Sequence, residues 1–256
     1  MTEQNEFLRK MAYAFSLAMR NATNSVCKKI SLVHNGDIHV LPSGVKMFCP
    51  MYPWDYIQNI VVGTSKFYEQ EILEDLAKYI PDDAVILDIG ANIGNHSLYW
   101  AKICGAKKIH AFEPIKTTFE MLEKNISLNG LEKVIIPHNI ALGERAGFGD
   151  IAVYLSHNIG FTNIKESPYG FPIAALDDID LGRGKIDFVK IDVEGFELKT
   201  LAGMKGTLKK HKPAVFIEAG SKTAAAVAEF FKNIGYRKPI AYKDGNWLFL
   251  PDGEGN

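Results

Sequence analysis

Val85-Ile86-Leu87-Asp88-Ile89-Gly90-Ala91-Asn92-Ile93-Gly94-Asn95-His96-Ser97 is an apolar run followed by two spaced glycines and then by polar residues that open a helical pattern. The order reads as strand, glycine turn and helix start. Gly90 permits a tight turn, and Gly94 lets the backbone run close to a ligand as it enters a helix whose first N–H groups are free. Outward from this stretch, strand-like runs at 84–89, 108–112, 134–138, 186–191 and 214–217 alternate with helical stretches at 96–103, 117–129, 197–209 and 223–233. Apolar strands joined by helices predict a parallel sheet covered on both faces, a doubly wound α/β fold. Residues 143–181 break that rhythm, with one short strand candidate at 151–155. Near the C-terminus, 236–242 and 247–250 flank Lys243-Asp244-Gly245-Asn246, a hairpin turn that ends the sheet with an antiparallel pair.

The chemistry gathers at the strand ends. A dinucleotide fingerprint, G-x-G-x-x-G, seats a pyrophosphate on the helix terminus, whereas this chain reads D-x-G-x-N-x-G with Asp88 ahead of the turn. A carboxylate there repels a pyrophosphate and suits a ligand carrying an amine and a sulfonium, which points to S-adenosylmethionine. Glu113 closes the next strand, 25 residues past Asp88, near the offset at which an acid holds ribose hydroxyls. Asn139 and Ile140, after the third strand, stand where an adenine ring would lie. The fourth strand runs out through Lys190-Ile191-Asp192-Val193-Glu194-Gly195 and the fifth ends at Glu218. Period-two alternation puts Asp192 and Glu194 on one side. Asp192 is the first candidate for general base and Glu194 the second, with Asp192 alternatively holding the methionine amine. Lys190 is the cation able to neutralise one of these acids. Carboxylate oxygens suit Mg²⁺, so Asp192 with Glu218 is the candidate pair should a divalent metal take part.

The combination Asp88-Ile-Gly-Ala-Asn-Ile-Gly94, Phe112-Glu-Pro114, Asn139-Ile-Ala-Leu-Gly143, Leu176-Asp-Asp178 and Lys190-Ile-Asp-Val-Glu-Gly195 resembles the FkbM-type S-adenosylmethionine-dependent methyltransferases. The resemblance spans about residues 67–250 and implies a seven-stranded, Rossmann-like class I methyltransferase sheet with a reversed last strand. It also implies methylation of hydroxyl groups, often on sugars or natural products. Asn92, Asn95 and Ala141, in or beside these motifs, join Asp88, Gly90, Gly94, Glu113, Asn139 and Asp192 as the expected cofactor-binding set. Two other readings compete: a nicotinamide oxidoreductase, which lacks its middle glycine, and a non-catalytic ligand-binding or scaffold module.

Upstream, Leu8, Ala12, Phe15 and Met19 repeat at helical spacing, and 30–33 with 38–41 flank the hairpin signal His34-Asn35-Gly36-Asp37. Residues 1–65 therefore read as a helix-plus-hairpin extension, and 66–256 as the methyltransferase domain. Trp54 and Tyr56 are read as core packing in that extension, although both could stack on a sugar. His96 is read as a surface or capping residue, and His157 as a solvated loop histidine.

Composition sets the outer bounds. Of 256 residues 47% are hydrophobic and 23% charged, which fits a folded globular chain. The 29 basic residues nearly cancel the 30 acidic ones, leaving a net charge of −1. That balance supplies no field for a phosphate backbone, so no nucleic-acid partner is expected. Cys27, Cys49 and Cys104 are odd in number and widely spaced, pointing to a reducing, cytoplasmic compartment. No run reaches membrane-spanning length, and the charge and cleavage features of a signal peptide are lacking. The expected partner is a small-molecule or glycan acceptor. A homo-oligomer is compatible with this reading, but no feature specifies one.

Overall fold

The computed structural model describes residues 37–153 and 163–253. The helical repeat of Leu8, Ala12, Phe15 and Met19, the strand expected at 30–33 and His157 lie outside them. One compact unit begins at His39.

Its centre is a seven-stranded sheet. Val85–Ile89 (β3), Lys108–Phe112 (β4), Ile135–His138 (β5), Phe188–Ile191 (β10) and Ala214–Glu218 (β11) are parallel. Asn246–Phe249 (β13) runs antiparallel to β11 and to Ile240–Ala241 (β12). The spatial order is β12-β13-β11-β10-β3-β4-β5. The chain starts in the middle, steps out to β5, then returns to fill the other side, so the order reverses between β3 and β10. In such sheets the crevice at that reversal, beyond the carboxyl ends of the strands, receives ligands.

Alternation along the strands explains why both faces are buried. Leu87 and Ile89 share a face with Val189, Ile191, Val215 and Ile217, in one core cluster with Leu201, Phe231 and Phe249. The intervening residues Ile86, Phe188, Phe216 and Leu248 are buried on the opposite face, where Trp100 meets the Phe188 ring at 5.5 Å. That second face also carries Asp88 and Lys190, which are register partners. The helices Asn95–Lys102 (α3), Lys116–Leu128 (α4) and Ala224–Asn233 (α7) fall within a residue or two of expectation. The stretch expected as one helix at 197–209 is two, Glu197–Gly203 (α5) and Lys205–His211 (α6). They part beside Gly203, where an added Cβ would stand 1.9 Å from the Gly143 carbonyl oxygen. The close packing that needs this glycine coincides with the break.

Residues 141–174 are more regular than their glycines and prolines suggest. Ala141–Leu142 (β6), Gly147–Val153 (β7), Asn163–Glu166 (β8) and Phe171–Ala174 (β9) form a second sheet in the order β6-β9-β7-β8. The upstream hairpin expected between 30–33 and 38–41 lies partly outside the described residues. Ile38–Val40 (β1) pairs with Lys46–Phe48 (β2) in a two-stranded sheet. The turn between them is closed by the Leu41 and Gly44 amides, which donate to the Val45 and Leu41 carbonyls at 2.8 Å each.

Asn125 of α4 and Asn129, its C-cap, fasten β2 to the domain. Asn125 accepts from the Phe48 amide at 2.6 Å and donates to the Ile93 carbonyl at 2.8 Å, while Asn129 exchanges two bonds with Lys46. Asn125 is fully buried, so Asn125→Ala would leave two backbone groups without partners. We expect a loss of about 2 kcal/mol in urea unfolding. An unchanged midpoint would refute this clamp.

Candidate active site

A cleft open to solvent lies at the strand-order reversal. Gly90, Asn92, Glu113, Ala141, Asp192 and Glu194 line it, with Phe112, Ile115, Thr118, Ile140, Leu142 and Ile164 among its other walls. Three carboxylates border this space, and none of its lining residues is Lys or Arg.

Gly90 has φ +77, and a Cβ there would lie 1.8 Å from the Asp192 carbonyl oxygen. The cause is register: Asp88 pairs with Lys190 and Ile89 with Ile191, so Gly90 and Asp192 follow each other off adjacent strand ends. Asn92 stands where a dinucleotide fingerprint has its middle glycine and takes φ +51, a left-handed conformation that Asn tolerates better than most residues. Its amide donates to Glu113 Oε2 at 3.0 Å, and the Ile115 amide donates to Glu113 Oε1 at 2.8 Å. Glu113 thus joins the loops after β3 and β4 while facing the cleft. Burial raises its carboxyl to about 7, against the two N–H donors and Lys190, which favour the charged form.

Four expected cofactor residues do other work here and do not line the cleft. Asp88 is 0% exposed, accepts from Ser97 Oγ at 2.6 Å and faces Lys190 Nζ at 3.6 Å. Gly94 (φ +89) begins α3, and a Cβ on it would press Leu122 Cδ1 at 2.6 Å, so it serves helix packing. Asn95 clamps the Tyr68 backbone, accepting from its N–H and donating to its C=O at 3.0 Å each. Asn139 donates to the Glu113 and Pro114 carbonyls at 2.9 and 3.1 Å, bracing the β4 end.

Lys190 is the hub beneath the acids. Its ammonium donates to the Gly90 carbonyl at 2.7 Å and lies 3.3 Å from Asp192 and 3.6 Å from Asp88. Burial opposes the charge, but the two aspartates hold it well above its usual pKa. Asp192, the first candidate base, is therefore engaged in an ion pair. Glu194 reaches the cleft by a turn rather than by strand alternation, because β10 ends at Ile191 and Glu194 takes φ +45. Burial, then the charges of Asp192 and Glu197, raise its carboxyl to about 7. Glu218 is raised to about 8 by burial and by Asp192 and Glu194. Among the described residues no group of three or more His, Cys, Asp or Glu is arranged to hold a metal.

Sequence reading missed Glu69. It adopts φ +57 ahead of Gln70–Leu76 (α2) without capping it, and its Oε2 lies 3.2 Å from His96 Nε2. His96 is neither exposed nor a cap; it is buried, 5.5 Å from the Trp100 ring. Burial would raise the Glu69 carboxyl, but His96 and Lys190 bring it below its usual range. Trp54 and Tyr56, expected in the core, are 74% and 51% exposed. Ile164 was also beyond sequence reach, since only the second sheet carries it to the cleft.

The strand order, with its reversed β13 and acid-lined crevice, is that of a Rossmann-like class I methyltransferase fold. Residues 88–238 match the model of the methyltransferase FkbM domain, and the chain belongs to that family. Among curated proteins it is 33% identical over 147 residues to the hexuronic acid methyltransferase AglP of Haloferax volcanii, covering 55% of this chain and 58% of that one. It is 29% identical over 157 residues to Methyltransferase 1 of Beauveria bassiana, covering 51% and 61% respectively. The chain thus spans about six-tenths of the length of these relatives. A solved FkbM methyltransferase from Methylobacillus flagellatus is 18% identical with a TM-score of 0.47, covering 77% of this chain and 55% of that one.

Proposed function

We propose that the chain transfers a methyl group from S-adenosylmethionine to a hydroxyl of a sugar, glycan or natural product. The observation that carries this is the cleft lining, with three carboxylates and no basic side chain. A pyrophosphate would be repelled there, which disfavours the nicotinamide reading, while an ammonium and a sulfonium are favoured. The donor set fits. Glu113 would take ribose hydroxyls, the Gly90 to Asn92 turn would pass beneath the amino-acid end, Asp192 would face the amine, and Ile115, Ile140 and Leu142 would pack against the base. Bound there, S-adenosylmethionine supplies an electrophilic methyl on a sulfonium.

The remaining task is to align an acceptor hydroxyl with that methyl and take its proton. Glu194 suits the second role, being at the cleft wall and free of the Lys190 ion pair. A carboxylate must be ionised to accept a proton, so transfer should fall as pH drops through about 7. Glu194→Gln should lower transfer about 100-fold and abolish that limb while leaving donor affinity within a few fold. A Gln variant that keeps both the rate and the acid limb would exclude Glu194.

Calorimetric titration with S-adenosylmethionine tests the first half of the reading, and a folded sample that fails to bind would end it. Incubation with labelled donor and fractionated extract tests the second, since binding without transfer to any pool would favour a non-catalytic module. The naming of a Haloferax volcanii relative for hexuronic acid supports a sugar-class acceptor. Among the described residues no helix is long and apolar enough to cross a membrane. A cytoplasmic setting follows, in this reading, from the cysteine usage, and no nucleic-acid partner is invoked.

A further inference from the structure

Tyr52, Trp54 and Tyr56 are 47%, 74% and 51% exposed, at the turn leading into Tyr56–Thr64 (α1). The turn is built firmly. Asp55 caps α1 by accepting from the Gln58 amide at 3.0 Å, Gln58 accepts from the Met51 amide at 2.7 Å, and the Trp54 amide donates to Met51 at 2.7 Å. The backbone that carries these exposed rings is thus tied by three hydrogen bonds. Tyr56 sets its edge against Tyr68, centroids 6.0 Å apart. Tyr68 is in turn fixed by both Asn95 bonds to the helix that follows the glycine turn. Tyr68 directly precedes Glu69, whose carboxylate lies 3.2 Å from His96, so here the aromatic pair adjoins an acid.

Glu69 shares that boundary. A glutamate in left-handed backbone costs about 1 kcal/mol or more, and here the conformation serves no cap. It turns the carboxylate toward His96 and the Lys190 neighbourhood. Half-exposed aromatic rings beside carboxylates match one ligand chemistry well. A pyranose ring has an apolar C–H face that packs on an aromatic ring and hydroxyls at its edge that donate to carboxylates. Charge narrows the class further. Glu113, Asp192 and Glu194 line the cleft with no Lys or Arg among its lining residues, and Lys190 beneath them is already paired with Asp192 and Asp88, which disfavours an anionic sugar.

We propose that Trp54, Tyr56 and Tyr68 form the acceptor ledge for an uncharged pyranoside, whose hydroxyl edge is held by Glu69. The proposal rests on the methyltransferase reading of the cleft and assigns its acceptor side. In the open ledge the sugar lies on the outer rings and points its reacting edge past Tyr68 toward the carboxylates.

Saturation-transfer NMR on the full chain, saturated with S-adenosylhomocysteine, tests it with methyl glucopyranoside, methyl galactopyranoside, methyl mannopyranoside, methyl glucuronide and the flavanone naringenin as probes. The expected result is transfer to the ring C–H protons of at least one neutral glycoside. Tyr56→Ala and Trp54→Ala should each weaken it about fivefold, and Glu69→Gln should weaken it while S-adenosylhomocysteine binding stays unchanged. Intact S-adenosylhomocysteine binding with no glycoside signal, with signals unaltered in Tyr56→Ala, or with signals only from naringenin or the glucuronide would overturn the ledge. Failure of the wild type to bind S-adenosylhomocysteine would remove the underlying methyltransferase reading and the ledge together.

Discussion

Lys190→Met should destabilise the protein by about 3–5 kcal/mol in urea unfolding, the scale for breaking a buried ion pair by removing one partner. The residue left behind makes the effect large. Asp88 is 0% exposed, and its Oδ1 has no hydrogen-bond donor other than what Lys190 offers as an ion pair at 3.6 Å. Methionine would also strip the Gly90 carbonyl of its 2.7 Å donor and leave Asp192 without its nearest cation. Should the single variant fail to fold, Lys190→Met combined with Asp88→Asn keeps the claim testable. Removing both charges avoids the stranded anion, so the double variant should recover a substantial part of the loss. Equal stability of wild type and Lys190→Met would refute the hub.

Gly90→Ala should reduce affinity for S-adenosylhomocysteine by at least about 100-fold, because 2.7 kcal/mol is a modest charge for the distortion required. The new methyl would lie 1.8 Å from a backbone oxygen, not from a side chain able to swing aside, and φ is +77. The ends of β3 and β10 must separate to admit it, and these ends frame the cleft floor. Gly44→Ala is the matched control, with φ +82 but nothing within 4 Å of the added Cβ. It should cost only the left-handed strain, about 1 kcal/mol, and leave binding intact. Calorimetry and thermal melts on both variants would separate clash from strain, and equal binding losses would refute the account.

The central sheet was legible because each strand is an apolar run long enough to be buried on both faces, and Lys108–Phe112 falls where the residues place it. The second sheet was not. Ala141–Leu142 is two residues long and Phe171–Ala174 contains a proline, so neither shows the alternation that marks a strand. At the site, Glu113 and Asp192 could be placed from the strand-end rule, and Gly90 and Asn92 from the glycine-turn motif. The roles of Asp88 and Asn95 could not. Asp88 turns inward because register sets Lys190 beside it, and Asn95 is used by Tyr68, 27 residues upstream. Glu69 carries no motif; only the positive φ and the His96 contact reveal it.

The single carboxylate of Glu113 holds Asn92 on one loop and Ile115 on the next. Both bonds end on one carboxyl group, so a displacement of that side chain disturbs the two loops together. Hydrogen exchange at the Asn92 and Ile115 amides should then report a common opening free energy. On the proposed reading, a nucleoside held by Glu113 would add hydroxyl donors to a group that both loops already bond. Donor binding would then be felt by both loops through one side chain, and slowing of both amides in step would be its signature.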